Sequence, residues 1–311
     1  MVQIGNCGIE ISRVVLGGNV FAWTADEESS FAILDGYLEA RGNSIDLADS
    51  YPHWAPDCRG GESEEVVGRW MDARGNRADV VIATKVGKFP GNYGLTRDQI
   101  DAGLQGSLER LHTDYVDLYY CHMDDPQTPL EETLEALAEH IEAGRIRAIG
   151  ASNYSTERLA TALATSDRLG LPRFVAVQPQ YSLVVRNEFE GPMQELCQRE
   201  GLSCLPFWPL AAGFLSGKYS SDDIGDVLRA RHVAQFFTER NWRILNVVRE
   251  IAQAHGVEPT TVALAWTLTR PTVAAPVASV SRTSQLPALM RSMSLELTDD
   301  DLARLDEVSA P

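Results

Sequence analysis

The chain is poor in cysteine, in basic charge and in long apolar runs, and each shortage excludes a class of protein. Its five cysteines, Cys7, Cys58, Cys121, Cys197 and Cys204, are odd in number and contain no C-x-x-C pair. A disulfide framework is therefore not expected, and a reducing compartment fits better. Lys and Arg number 27 against 44 Asp and Glu, a formal net charge of −17. Such a surface repels a phosphate backbone, and no basic cluster offsets it, so a nucleic-acid partner is not expected. No apolar run approaches the roughly 20 residues that span a bilayer. The N-terminal MVQIGNCGIEISRVV lacks the basic-then-apolar plan of a signal peptide. The expectation is a cytoplasmic protein with no membrane partner. Also missing is any Pro/Gly/Ser linker or break in composition, so residues 1–311 are expected to form one domain.

What fills the chain is alternation. After a hairpin expected over 2–11, turning at Asn6-Cys7-Gly8, β-branched runs occur at 13–18, 44–48, 80–85, 115–122, 145–152, 174–180, 202–208 and 272–279. Helical spacing of apolar residues follows each run, near 26–41, 62–74, 97–111, 130–143, 155–169, 189–200, 239–255 and 282–293. Asp26, before Glu27-Glu28, suits an N-cap. Segments 260–268 and 298–308 read as accessory helices. Eight strand–helix units predict an α/β fold of the (β/α)8 TIM-barrel type, with an N-terminal hairpin and accessory C-terminal helices. An open doubly wound sheet would want G-x-G-x-x-G after the first strand, and Gly17-Gly18-Asn19-Val20 does not supply it.

In such a barrel, chemistry gathers where the strands end and eight loops converge. The second run leads to Asp46 and Tyr51, the third to Lys85, the fourth to His122, the fifth to Ser152-Asn153 and the sixth to Gln178. Buried charge is costly unless paired. Asp46 with Lys85 is open to a reading as a structural ion pair closing the barrel mouth. With Tyr51 and His122 at the same level, the set also suits carbonyl reduction. Negative charge developing on the carbonyl oxygen needs a proton, and a phenol of pKa about 10 yields one more readily beside an ammonium. Asp46 would hold Lys85 charged, and His122 would donate to the carbonyl oxygen.

Phe21, Trp23, His53, Trp54, Phe89 and Met123 are candidates for a substrate pocket, or for ordinary loop packing. Asp49, His53, Asp57, Cys58 and Glu62 match no metal-ligand spacing, so no metal is expected. Cys121 is expected to face the packing layer rather than act as a thiol.

These segments resemble the aldo-keto reductase superfamily along nearly the whole chain. SIDLADSY resembles its Asp–Tyr segment, IATKVG its Lys segment and DLYYCHMDDP its His segment. The resemblance implies a catalytic tetrad of Asp46, Tyr51, Lys85 and His122, with Tyr51 the general acid. GASNYS is similar to the family's G-x-S-N-x-S, and VQPQYSL and PFWPLAAGFLSGKY match further cofactor segments. They imply that Ser152, Asn153 and Gln178 hold the nicotinamide carboxamide and that Phe207 stacks on its ring. Leu210, Gly213, Leu215 and Lys218 would line the pyrophosphate. Trp208 departs from the family, standing where a small Ser is usual. PVASVSRTSQLPALM also departs, with Leu289 at the family's Asn position and no early Lys, but keeps Ser279, Arg282 and Gln285. Arg282 would meet a 2′-phosphate. NADP(H) is favoured and NAD(H) possible, with a small-molecule carbonyl or alcohol as substrate; oligomeric state is not legible. The stretch 219–238, with Gly225, is a candidate lid. Two other functions stay open: a lyase forming a Schiff base on Lys85, as in barrel aldolases, and a regulatory subunit that binds cofactor and turns over slowly.

Overall fold

The computed structural model describes residues 1–220 and 232–311. Most of the expected lid lies outside the described residues. Strands β1 (Val2–Gln3) and β2 (Glu10–Ile11) pair antiparallel, giving the hairpin expected at the N-terminus. Eight parallel strands follow: β3 (Val15–Gly17), β4 (Ser44–Asp46), β5 (Val81–Val86), β8 (Val116–Cys121), β9 (Ile146–Ser152), β10 (Phe174–Gln178), β11 (Ser203–Cys204) and β12 (Val277–Ala278). Between β5 and β8 lies a short hairpin not foreseen from sequence, β6 (Lys88–Phe89) with β7 (Asn92–Tyr93).

The strand order is β11-β10-β9-β8-β5-β4-β3-β12. Bridges Cys204↔Val273 and Phe207↔Val277 join the two ends, so the sheet closes on itself as a (β/α)8 barrel. Several strands are shorter than their apolar runs. Pro179, Pro206 and Pro276 stand near the ends of the last three, and proline has no N–H to give the ladder.

Helices lie close to the expected spans, including Glu27–Glu39, Glu62–Arg74, Arg97–Leu111 and Glu239–His255. Local chemistry fixes their starts: Asp26 accepts from Ser29 N–H, and Thr96 and Gln99 cap each other reciprocally. The helix expected over 282–293 is shorter, Leu286–Arg291 behind a single 3₁₀ turn.

Period-two alternation divides the apolar residues into two cores. Leu118 and Tyr120 point inward with Val15, Ala83, Ala148, Ala176, Leu205, Ala275 and Val277, and Ile4, Ile9 and Ile11 of the hairpin complete this inner cluster. Tyr119 and Cys121 point outward into the larger core between strands and helices. Gly150 is glycine for a reason of space, since a Cβ there would lie 2.4 Å from the Tyr120 ring. One step above the inner layer, the same alternation turns Asp46, Lys85, His122, Ser152 and Gln178 toward the barrel mouth.

Candidate active site

Asp46 and Lys85 are buried, and Lys85 Nζ donates to Asp46 Oδ2 at 2.6 Å and to the Leu47 carbonyl at 2.5 Å. Gln178 Nε2 donates to the other Asp46 oxygen at 2.9 Å, so both carboxylate oxygens are engaged. Burial works against the Lys85 ammonium, but Asp46 and then Tyr51 outweigh it and hold its pKa above the ordinary value. Removing one partner of such a pair costs about 3–5 kcal/mol.

The Lys85 ammonium is 4.9 Å from the centre of the Tyr51 ring, which also meets the Trp54 ring edge-on at 5.4 Å and the His122 ring at 5.7 Å. Tyr51 differs from the sequence-based expectation of an acidified phenol. Burial raises its pKa by more than Lys85 lowers it, so the phenol keeps its proton firmly. For His122, burial first, then Lys85, Lys88 and His53, hold the imidazole well below its ordinary pKa and hence neutral. Its Nδ1 is buried with no hydrogen-bond partner among the described residues.

Tyr51 and His122 border a cleft of about 370 Å³ that Ser152, Asn153, Gln178, Phe207, Leu210, Gly213 and Ser279 also line. Asn153 adopts φ 57°, a left-handed conformation that Asn tolerates better than most residues. From there its amide donates to the His122 carbonyl (2.8 Å) and to Ser152 Oγ (3.0 Å). Its carbonyl oxygen has no partner among the described residues. The turn at Phe207–Gly213 is sharply bent, with Trp208, Ala211, Ala212 and Gly213 all at positive φ. Trp208 stands edge-on to His232 and Phe236, with ring centres 6.0 and 6.2 Å away.

Other candidates lie away from the cleft wall. Leu215 is in the outer core, Lys218 is exposed with its ammonium 4.9 Å from the Tyr219 ring centre, and Arg282 and Gln285 are exposed. Gln285 Oε1 accepts from the backbone N–H groups of Ser281 and Arg282. Of the substrate-pocket candidates, Trp23 and Trp54 line the cleft. Phe21 is fully buried in the outer core and does not reach the cleft. His53 is exposed, with Nδ1 2.9 Å from the Ser50 carbonyl. Phe89 lies beneath the Arg110 guanidinium, and Met123 is half-buried outside the lining.

Sequence reasoning missed Asn19, Val20, Lys88, Ala212 and His232, all on the cleft wall. Lys88, three residues beyond Lys85, was within reach of the strand-end rule; His232 falls within the candidate lid 219–238 but is not singled out there. Among the described residues, no group of three or more His, Cys, Asp and Glu could hold a metal ion, and no helix is long and apolar enough to cross a membrane.

A closed βα barrel with a buried Lys–Asp pair, a phenol and an imidazole at the C-terminal mouth defines a class of barrel built for chemistry at that mouth. The sequence model of the aldo/keto reductase family matches residues 13–310, and the chain belongs to that family. It is 33% identical to Protein tas of Escherichia coli (strain K12), over 98% of this chain and 96% of that one. It is 31% identical to the L-glyceraldehyde 3-phosphate reductase of Escherichia coli O157:H7, over 97% and 90%. A probable voltage-gated potassium channel subunit beta of Oryza sativa subsp. japonica is also 31% identical, over 94% and 90%. The family is one of oxidoreductases that generally use NAD(P)H, and this chain takes its place among them.

Proposed function

We propose that the protein transfers hydride between NAD(P)H and an aldehyde or ketone, with Tyr51 as the proton donor. The observation that carries this is the Asp46–Lys85 pair set beneath the Tyr51 ring, next to a neutral His122. When bound, the dinucleotide supplies the hydride. Tyr51, still protonated, gives its proton to the carbonyl oxygen as charge builds there. Lys85 stabilises the phenolate left behind, and Asp46 with Gln178 keeps the ammonium fixed and charged. His122, neutral, offers one N–H to the same oxygen. In the reverse direction the phenolate accepts the proton.

The cleft's donor set suits the cofactor. Ser152, Asn153 and Gln178 would hold its carboxamide, and Phe207 would stack on the ring. Leu210 and Gly213 would line the pyrophosphate turn, with Leu215 supporting it from the core and Lys218 at its end. Ser279, Arg282 and Gln285 would meet the adenosine end. Arg282 forms no ion pair among the described residues, which favours NADP(H) over NAD(H). The Schiff-base alternative would require an accessible neutral amine, whereas Lys85 is fully buried and held charged. The channel-subunit relatives keep a slow-turnover regulatory reading in view, and the turnover number decides it.

Tyr51→Phe is expected to lower kcat about 10²–10⁴-fold while NADPH, followed by tryptophan quenching, still binds within about threefold of wild type. Wild-type turnover in the variant would remove Tyr51 from the acid role.

A further inference from the structure

Lys88 is the cleft's unexplained charge. It follows β5 at the start of β6, is half-buried, and lines the wall with Tyr51, His122, Trp23 and Trp54. Among the described residues its ammonium has neither an ion pair nor a hydrogen bond, although the chain carries 44 carboxylates. The electrostatic neighbours it does have, Lys85 and His122, offer no negative charge in return. A half-buried cation facing another cation is held at a cost that a counter-ion in the cleft would remove.

We propose that Lys88 binds an anionic group, a carboxylate or phosphate, on the carbonyl substrate, so that the reaction favours aldehydes or ketones carrying such a group. The inference rests on the reductase reading above. The cofactor does not account for the charge. Its proposed pyrophosphate turn follows β11, and β11 and β5 stand four places apart in the ring of eight strands, on opposite sides of the barrel. Lys88 belongs instead to the side that carries Tyr51 and His122, where the carbonyl oxygen would sit. Trp23 and Trp54, edge-on with ring centres 5.9 Å apart, supply an apolar wall beside it. One end of a short substrate is thereby offered to the proton donor and the other to the ammonium. Burial, and then Lys85, lower the Lys88 pKa, which an anion on the ammonium would reverse.

The experiment compares kcat/KM for two matched pairs, succinic semialdehyde against butanal and glyceraldehyde 3-phosphate against glyceraldehyde, in wild type, Lys88→Met and Lys88→Arg. Wild type should prefer the charged member of at least one pair, and which pair shows whether carboxylate or phosphate is read. In Lys88→Met the charged-to-neutral ratio should fall about 10- to 100-fold, through KM rather than kcat, and Lys88→Arg should keep most of it. Charged-to-neutral ratios equal in wild type and Lys88→Met for both pairs would overturn the proposal while leaving the reductase reading intact. If no aldehyde is reduced with either cofactor, the reductase reading fails on its own. Calorimetric titration with succinate and with inorganic phosphate then decides the anion site: binding lost in Lys88→Met supports it, and binding absent or unaltered overturns it.

Discussion

Two residues before Tyr51, Asp49 is fully buried, and neither of its carboxylate oxygens finds a hydrogen-bond partner among the described residues. Burial, then the nearby Glu64 carboxylate, push its pKa up to about 8 against the opposing pull of Arg110. Glu64 itself is satisfied, by Thr84 at 2.5 Å and Arg110 at 2.7 Å. Between about pH 4 and pH 8 the folded protein holds a proton on Asp49 that the unfolded chain has released. Stability should therefore fall as pH rises through that window, by up to about 1.4 kcal/mol per pH unit from this group. Asp49→Asn should flatten the fall, so that urea midpoints of variant and wild type diverge from pH 5 to pH 8. Parallel curves would mean that Asp49 is ionised throughout. Asp46, Lys85 and His122 were legible as candidates because buried polar groups at the ends of apolar strands are costly unless paired, and these fall at one level of the barrel with Tyr51. The neutrality of His122 and the firm hold of Tyr51 on its proton were not, since both follow from how deeply each ring is enclosed.

At the scale of elements, the N-terminal hairpin shows how much two-residue strands can matter. β1 and β2 share only the pairs Val2↔Ile11 and Gln3↔Glu10, yet Ile4, Ile9 and Ile11 are almost completely enclosed and belong to the inner core of the barrel. The hairpin is thus a plug, held by burial rather than by its ladder. Ile9→Ala should cost about 2–5 kcal/mol in denaturant unfolding and leave the activity of the folded fraction intact. A loss below about 0.5 kcal/mol would show that the hairpin merely lies against the barrel. The sequence displayed this element through its turn at Asn6-Cys7-Gly8, and displayed the helices through apolar spacing and caps. It hid the β6–β7 hairpin, whose strands are too short for periodicity to register, and overextended the last strands, where prolines interrupt pairing.

Across the whole molecule, hydrogen bonding is unevenly spread around the ring. β8 and β9 align five residue pairs, whereas β11 and the segment leading into β12 meet through the two bridges Cys204↔Val273 and Phe207↔Val277. Backbone bonds there run from Cys204 N–H to Thr272, Ala274 N–H to Cys204 and Val277 N–H to Pro206. Amide hydrogen exchange should be faster at Cys204, Ala274 and Val277 than at the β8–β9 amides, and should slow on adding NADPH. Equal protection around the ring, unchanged by NADPH, would contradict this. Phe207, Val277, Ala278 and Ser279, which belong to this closure, also border the cleft. The barrel therefore resembles a bracelet whose clasp lies under its jewel: whatever settles into the cleft also fastens the ring, so occupancy and resistance to unfolding are set at one place.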